Sequence, residues 1–208
     1  VYDRWSIGTN QKRETHETAL HRAWRTCVEP ILWEYKDLHS VEYFTLTMQD
    51  SPFILAGTVV LLLDQQPTRV VYTVECDQQW RTRNVVVHQE RAGEAKHLAV
   101  RVGDQQTWQA DDGSLSFATG LYDIDLQVTP ATNLLPIRRL DLKVGESQPV
   151  EAVWVRFPGL TLERLQQRYT RIDDRCYQYE SSTGFVAQLV VDTFGLVVDY
   201  GDLWHRVT

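Results

Sequence analysis

The chain has 208 residues, 43% hydrophobic and 24% charged, with a formal charge of −7 and a pI near 5.3. That balance is globular and fits one domain rather than a disordered chain, and the acidic charge argues against gripping nucleic acid by phosphate neutralisation. The longest apolar run, residues 53–63, contains Gly57 and Thr58 and falls far short of the ~20 residues that a membrane-spanning helix needs.

In chain order, the first element is helical. Leu20, Ala23, Trp24, Cys27 and Val28 recur at i, i+3, i+4, i+7 and i+8, one apolar stripe of an amphipathic helix over residues 14–28 that Pro30 ends. Residues 1–30 therefore read as an arm and docking helix, and residues 31–208 as the main domain. From Ile31 onward, short runs rich in β-branched and aromatic residues alternate with turn signals at Asp64, Val102-Gly103, Asp111, Val144-Gly145, Pro158-Gly159, Ser181 to Gly184 and Phe194-Gly195. About eleven strands fit between them. No helical pattern alternates with the strands, so the expectation is an all-β, antiparallel sheet, strongly curved or closed.

Two strands carry candidate site residues. In WRTRNVVVH, period-two alternation puts Arg81 and Arg83 on the face of Val85 and Val87, beside Trp80, a mixture suited to a cavity wall. In LYDIDLQV it puts Tyr122, Ile124, Leu126 and Val128 on a core face, and Asp123, Asp125 and Gln127 on a wet one. Residues 129–136 then read as a loop stiffened by Pro130 and Pro136 and turned at Asn133. If residues 137–142 form the returning strand of a hairpin, Arg138 lies within reach of Asp125, and Arg139 faces the core. An Arg left without a carboxylate there would hold an anionic headgroup, with Thr132 and Asn133 at the cavity mouth. Further on, Trp108, Trp154, Tyr169, Tyr177, Tyr179 and Tyr200 could stack sugar rings or acyl chains.

Several motifs fail on spacing. HETALH (16–21) has one residue too many for the HExxH zinc helix, so its histidines diverge by roughly 140° at ~100° per residue. DTFG (192–195) has no kinase motifs beside it and reads as a strand end and turn. The three cysteines, Cys27, Cys76 and Cys176, form no CxxC pair, which with the lack of a visible secretory pattern suggests a reducing, cytoplasmic setting. No metal and no cofactor is expected.

Five segments taken together, YTVECDQQWRTR (72–83), DIDLQVTPATNLLPIRRL (123–140), QRYTRI (167–172), YQY (177–179) and VDTFGLVVDYGDLWHR (191–206), resemble the bacterial putative glycolipid-binding family, first described as a domain of unknown function. The resemblance departs from the family pattern at Leu134 and Gly201. It implies an incompletely closed antiparallel β-barrel, similar in fold to the carriers that move lipoproteins between bacterial membranes, and a role in binding glycolipid or a related amphiphile. It brings no catalytic residue. The motif positions it carries over are Asp77, Trp80, Arg81, Arg83, Asp123, Asp125, Thr129, Pro130, Thr132, Asn133, Pro136, Arg138 and Arg139.

The leading expectation is thus a non-catalytic protein binding a small amphiphile through residues among Trp80, Arg81, Arg83, Asp123, Asp125, Thr132, Asn133, Arg138, Arg139, Tyr169 and Tyr179. One rival is an enzyme acting on a sugar or lipid headgroup, with Asp123 or Asp125 as acid or base and Arg138 or Arg139 holding an anion. Another is a protein-interaction module that docks through the N-terminal helix.

Overall fold

In a computed structural model, the structure describes residues 28–35, 39–48, 52–111 and 113–208. The helix expected over residues 14–28 and the HETALH motif lie outside the described residues, Val28 apart. Among the described residues fifteen strands, not eleven, form one sheet. They are β1 (Ile31–Tyr35), β2 (Ser40–Thr47), β3 (Phe53–Leu63), β4 (Gln66–Cys76), β5 (Thr82–Arg91), β6 (Glu94–Val102), β7 (Trp108–Ala110), β8 (Gly113–Ser114), β9 (Asp123–Leu126), β10 (Ser147–Arg156), β11 (Thr161–Arg171), β12 (Cys176–Ser181), β13 (Val186–Val191), β14 (Val197–Tyr200) and β15 (Trp204–Arg206). The strands missed in the sequence are the short ones: β7, β8 and β15 have two or three residues each, too few to show alternation.

The sheet is two meanders joined at their outer strands. β1 to β8 run outward on one side, β15 back to β9 on the other, and β1 pairs with β15. The sheet is not closed, since β8 and β9 are its two edges. Tight turns make the meander possible. Asp64 and Gln65, for example, both adopt positive φ (48° and 61°) between β3 and β4, as a two-residue hairpin loop requires. All neighbouring strands are antiparallel except β9 and β10, which are parallel.

That parallel pair changes the reading of TPATNLLPIRRL. The segment is a helical crossover: a 3-10 turn over Ala131–Asn133 continues into a helix, α1 (Leu134–Leu140). Pro136 sits in the first turn of α1, where its missing N–H has no partner to lose. Arg138 and Arg139 fall in the last turn, where cations suit the helix dipole. Residues 137–142 are thus not a hairpin strand, and the crossover is not at the surface: every residue from Val128 to Ile137 is buried. The sheet curls around it. Thr129 meets Glu42 and Tyr72 of the first meander, while Asn133 meets Tyr169 of the second.

Both faces of β9 are consequently enclosed. Ile124 and Leu126 are buried as expected, but Asp123 on the supposedly wet face is buried too, and Tyr122 is instead exposed. Large side chains such as Trp33, Phe44, Tyr72, Trp108 and Tyr169 fill the interior, each removing apolar surface worth roughly 1.5–3 kcal/mol. Trp33 Nε1 donates to Val197 O at 2.9 Å, tying β1 to the second meander.

Candidate ligand cavity and its surroundings

Against the crossover lies a cavity of about 360 Å³, walled by residues of β1, β3, β9 to β12, β14 and β15. Its aromatic wall comprises Tyr35, Trp154, Tyr179, Phe185, Tyr200 and Trp204, and Asp125, Thr129 and Asn133 supply polar groups. The aromatic rings support one another: Tyr179 meets Tyr169 edge-on at 5.2 Å, Tyr200 at 5.9 Å and Phe185 at 6.0 Å.

Among the described residues that line it, Asp125 is the single carboxylate and no Lys or Arg accompanies it. The Gln167 side-chain amide donates to Asp125 Oδ2 at 2.6 Å and to the Tyr179 hydroxyl at 3.0 Å. Burial pushes the Asp125 carboxyl up to about 6, against the opposing hydrogen bond from Gln167. Its surface is partly accessible although protein surrounds it, because the accessible part faces the cavity. Burial also raises the Tyr179 and Tyr200 hydroxyls, whose protons therefore stay in place as donors. Tyr169 donates to Asn133 Oδ1 at 2.7 Å, and Asn133 Nδ2 donates to Pro130 O at 3.0 Å, so the amide orientation is fixed from both ends.

Behind Thr129 lies a second buried acid. Glu42, in the middle of β2, is wholly buried, and Thr129 Oγ1 donates to its Oε2 at 2.7 Å while the Tyr72 hydroxyl donates to its Oε1. With no cation beside it among the described residues, burial pushes Glu42 up to about 8, so near neutrality the carboxyl is mostly protonated, and in that form one of the two hydroxyls accepts its proton. Tyr72 reaches it across Gly57, whose absent side chain is the condition for this contact. A Cβ there would stand 2.5 Å from the Tyr72 ring and 2.6 Å from Glu42 Oε1. Sequence reading missed Glu42, Tyr72, Gly57 and Gln167. The available signal for Glu42 was its parity: it alternates with Ser40, Phe44 and Leu46 on the buried face of β2.

Of the residues singled out in the sequence, Asp125, Thr129, Asn133, Trp154, Tyr179 and Tyr200 line the cavity and Tyr169 stands directly behind it. Thr132 is buried in the crossover, where its hydroxyl accepts from Leu126 N at 3.4 Å. The expected Asp125–Arg138 pair does not form. Because residues 134–140 are helical, Arg139 instead grips Asp123, with Nε donating to Oδ1 at 3.1 Å and Nη2 to Oδ2. Asp123 is thereby committed to an ion pair, and Asp123 and Asp125 do not make the paired-carboxylate site that headgroup hydrolysis would use. Arg83 does not share the face of Val85 and Val87 as expected. A bulge pairs Cys76 with Thr82 and Glu75 with Asn84, leaving Arg83 out of the ladder. It bonds Asp77 Oδ2 at 2.8 Å instead.

Trp80, Arg81, Arg138 and Arg139 gather elsewhere, with Tyr122, around a surface depression of about 490 Å³. Two loops that meet at Arg138 are built alike, the first of them lining the depression. Asp77 Oδ1 accepts from the backbone N–H groups of Gln79 and Arg81, and its Oδ2 pairs with Arg83. Asp192 Oδ1 accepts from Phe194 and Leu196, and its Oδ2 pairs with Arg206. Each loop presents one aromatic ring, Trp80 or Phe194, to the Arg138 guanidinium. Gly195, at φ 99°, lets the DTFG turn come this close to α1, since a Cβ would lie 3.2 Å from Ile137 and 3.3 Å from Arg138. Among the described residues no cluster of His, Cys, Asp and Glu could hold a metal ion, and no helix is long and apolar enough to cross a membrane.

An open, almost wholly antiparallel sheet curled around its own crossover, enclosing an aromatic cavity with a few convergent polar groups, defines an all-β protein. The chain belongs to the family described as putative glycolipid-binding, whose profile matches residues 30–206. It is also similar to the crystal structure of a DUF1089 family protein from Pseudomonas aeruginosa, at 31% identity and a TM-score of 0.73, over 80% of this chain and 92% of that one. Comparison with curated proteins finds no match.

Proposed function

We propose that the cavity takes the sugar end of an amphiphile, so that the hydroxylated head is buried and the chain emerges. The observation that carries this reading is Asp125 in an aromatic wall, bonded by Gln167 and with no cation among the described lining residues. Sugar hydroxyls would donate to the carboxylate, while ring faces stack on the aromatic side chains. At about 360 Å³ the cavity is at the lower end of the ~300–1,000 Å³ usual for small-molecule sites. It suits a single ring and the first carbons of a chain rather than a two-chain lipid.

The opposite orientation is disfavoured by desolvation. An entering acyl chain gains about 0.8 kcal/mol per methylene. It also strips water from Asp125, Asn133, Thr129 and the tyrosine hydroxyls, at roughly 1–3 kcal/mol for each group left unsatisfied. Calorimetric titration with methyl glucoside, octyl glucoside and octanol tests the reading. Both glucosides should bind and octanol should not; binding of octanol with none of methyl glucoside would overturn it.

A further inference from the structure

We propose that the depression bounded by Arg81, Arg138 and Arg139 is a second site, separate from the cavity, and that it binds a phosphate-class oxyanion. Three guanidinium groups line this one depression in a chain whose formal charge is −7. Only Arg139 has a carboxylate, the buried Asp123. Arg81 and Arg138 have no ion-pair partner among the described residues: Asp77 pairs with Arg83, Asp192 with Arg206 and the exposed Asp141 with Lys143, while Asp174, which lines a neighbouring depression with Arg138, does not pair with it. Arg138 makes one long hydrogen bond, to Phe194 O at 3.4 Å.

The unpaired cations are nevertheless held in place. The Arg81 guanidinium lies 5.0 Å from the Tyr122 ring centre, and Arg139 lies 5.3 Å from the same ring. Arg138 lies between two rings, 5.4 Å from Trp80 and 4.8 Å from Phe194. Stacking engages the face of a guanidinium and leaves its N–H edges available, the donor geometry that suits phosphate oxygens. Trp80 takes part at a conformational cost: it sits at φ 62°, a region that bulky residues seldom adopt. The loop enforces this through Trp80 N donating to Asp77 O at 2.9 Å and Asp77 N donating to Arg81 O at 3.0 Å. Strain that helps bring Arg81 and Arg138, neither paired with a carboxylate, to one depression is explained by a bound anion that neutralises them. The anion could be a free phosphate, a sugar phosphate or the phosphate of a lipid headgroup, and the chemistry of the site is the same for all three.

Arginine Nε–H spectra recorded during titration with inorganic phosphate, glucose 6-phosphate and vesicles of phosphatidylglycerol or phosphatidylcholine separate these sources. The expected result is a saturable shift of the Arg81 and Arg138 signals with at least one phosphate source. Response to the small phosphates identifies a soluble ligand, and response to phosphatidylglycerol vesicles alone identifies a lipid headgroup. Arg81→Ala and Arg138→Ala should each weaken binding at least tenfold, Arg138→Lys less, and Arg69→Ala, far from the depression, not at all. Thermal melts of each variant report whether it folds. The site is refuted if no source shifts these signals, or if a folded Arg81→Ala/Arg138→Ala double variant, titrated calorimetrically, binds the same phosphate source as tightly as the parent. Methyl glucoside binding in the cavity stands or falls separately.

Discussion

The Gln167 amide holds the Asp125 carboxylate at 2.6 Å, on the wall of a cavity with no cation among its described lining residues. A carboxylate so placed favours its proton more than in water, with its pKa raised to about 6. Protonation therefore stabilises the fold: the contribution is complete below the unfolded value near 4 and is lost as pH rises through about 6. Asp125→Asn should accordingly be more stable than the parent at pH 8, by about 1–3 kcal/mol after discounting for the surface facing the cavity, and equal to it near pH 4. Denaturant melts at the two pH values check this. Octyl glucoside affinity should rise as pH passes 6 in the parent and lose that dependence in Asp125→Asn.

Glu42 carries the larger pH effect. Its pKa is raised from 4.5 to about 8 by burial, so the stability held by the protonated form at pH 4 disappears progressively up to and beyond pH 8. Glu42→Gln keeps one donor and one acceptor for Tyr72 and Thr129 without ionising. It should match the parent at pH 5 and exceed it at pH 9 by several kcal/mol, roughly 3–5. Equal melting temperatures at pH 9 would show that Glu42 is not desolvated.

Gly57→Ala should destabilise strongly, because its Cβ would fall 2.5 Å from the Tyr72 ring. Overpacking of this kind costs about 1–3 kcal/mol, and loss of the Glu42 hydrogen bond adds to it. Gly57→Ala/Tyr72→Leu should recover part of the loss, measured by urea unfolding. No recovery would mean that the glycine is needed for another reason.

Arg139→Ala leaves Asp123 buried without its cation, a change that typically costs ~3–5 kcal/mol at neutral pH. Burial raises the pKa of Asp123 and the Arg139 hydrogen bonds oppose this, so the variant should lose less stability at pH 4, where Asp123 can accept a proton. Asp123→Asn combined with Arg139→Ala should be more stable than Arg139→Ala alone.

Much of this arrangement is legible in the sequence. Alternation and turn residues expose the all-β class, and the motifs around Asp123 to Arg139 mark the segment on which the cavity is built. The polarity of that segment misleads. Asp123, Thr129, Thr132 and Asn133 look like surface residues, yet each is buried with a partner from a distant strand or within the crossover. Tertiary hydrogen bonds of this kind leave no periodic trace. The helix at Leu134–Leu140 was readable from Leu134 and Ile137 at i, i+3, from Pro136 in a first turn and from terminal arginines. The alternating look of IRRLDL favours a strand over the same residues. Glu42 and Gln167 were findable as polar residues at core parity, but which strands would bring them to Thr129 and Asp125 depends on the curl of the sheet.

The most direct measurement is the structure of the complex with octyl glucoside, by crystallography or by intermolecular nuclear Overhauser effects. The proposed binding mode places the glucose ring among Trp154, Tyr179 and Tyr200, with a hydroxyl donating to Asp125 and the octyl chain pointing out of the cavity. An octyl chain packed against those rings with the sugar in solvent, or a cavity left empty at saturating detergent below its micelle concentration, would contradict it.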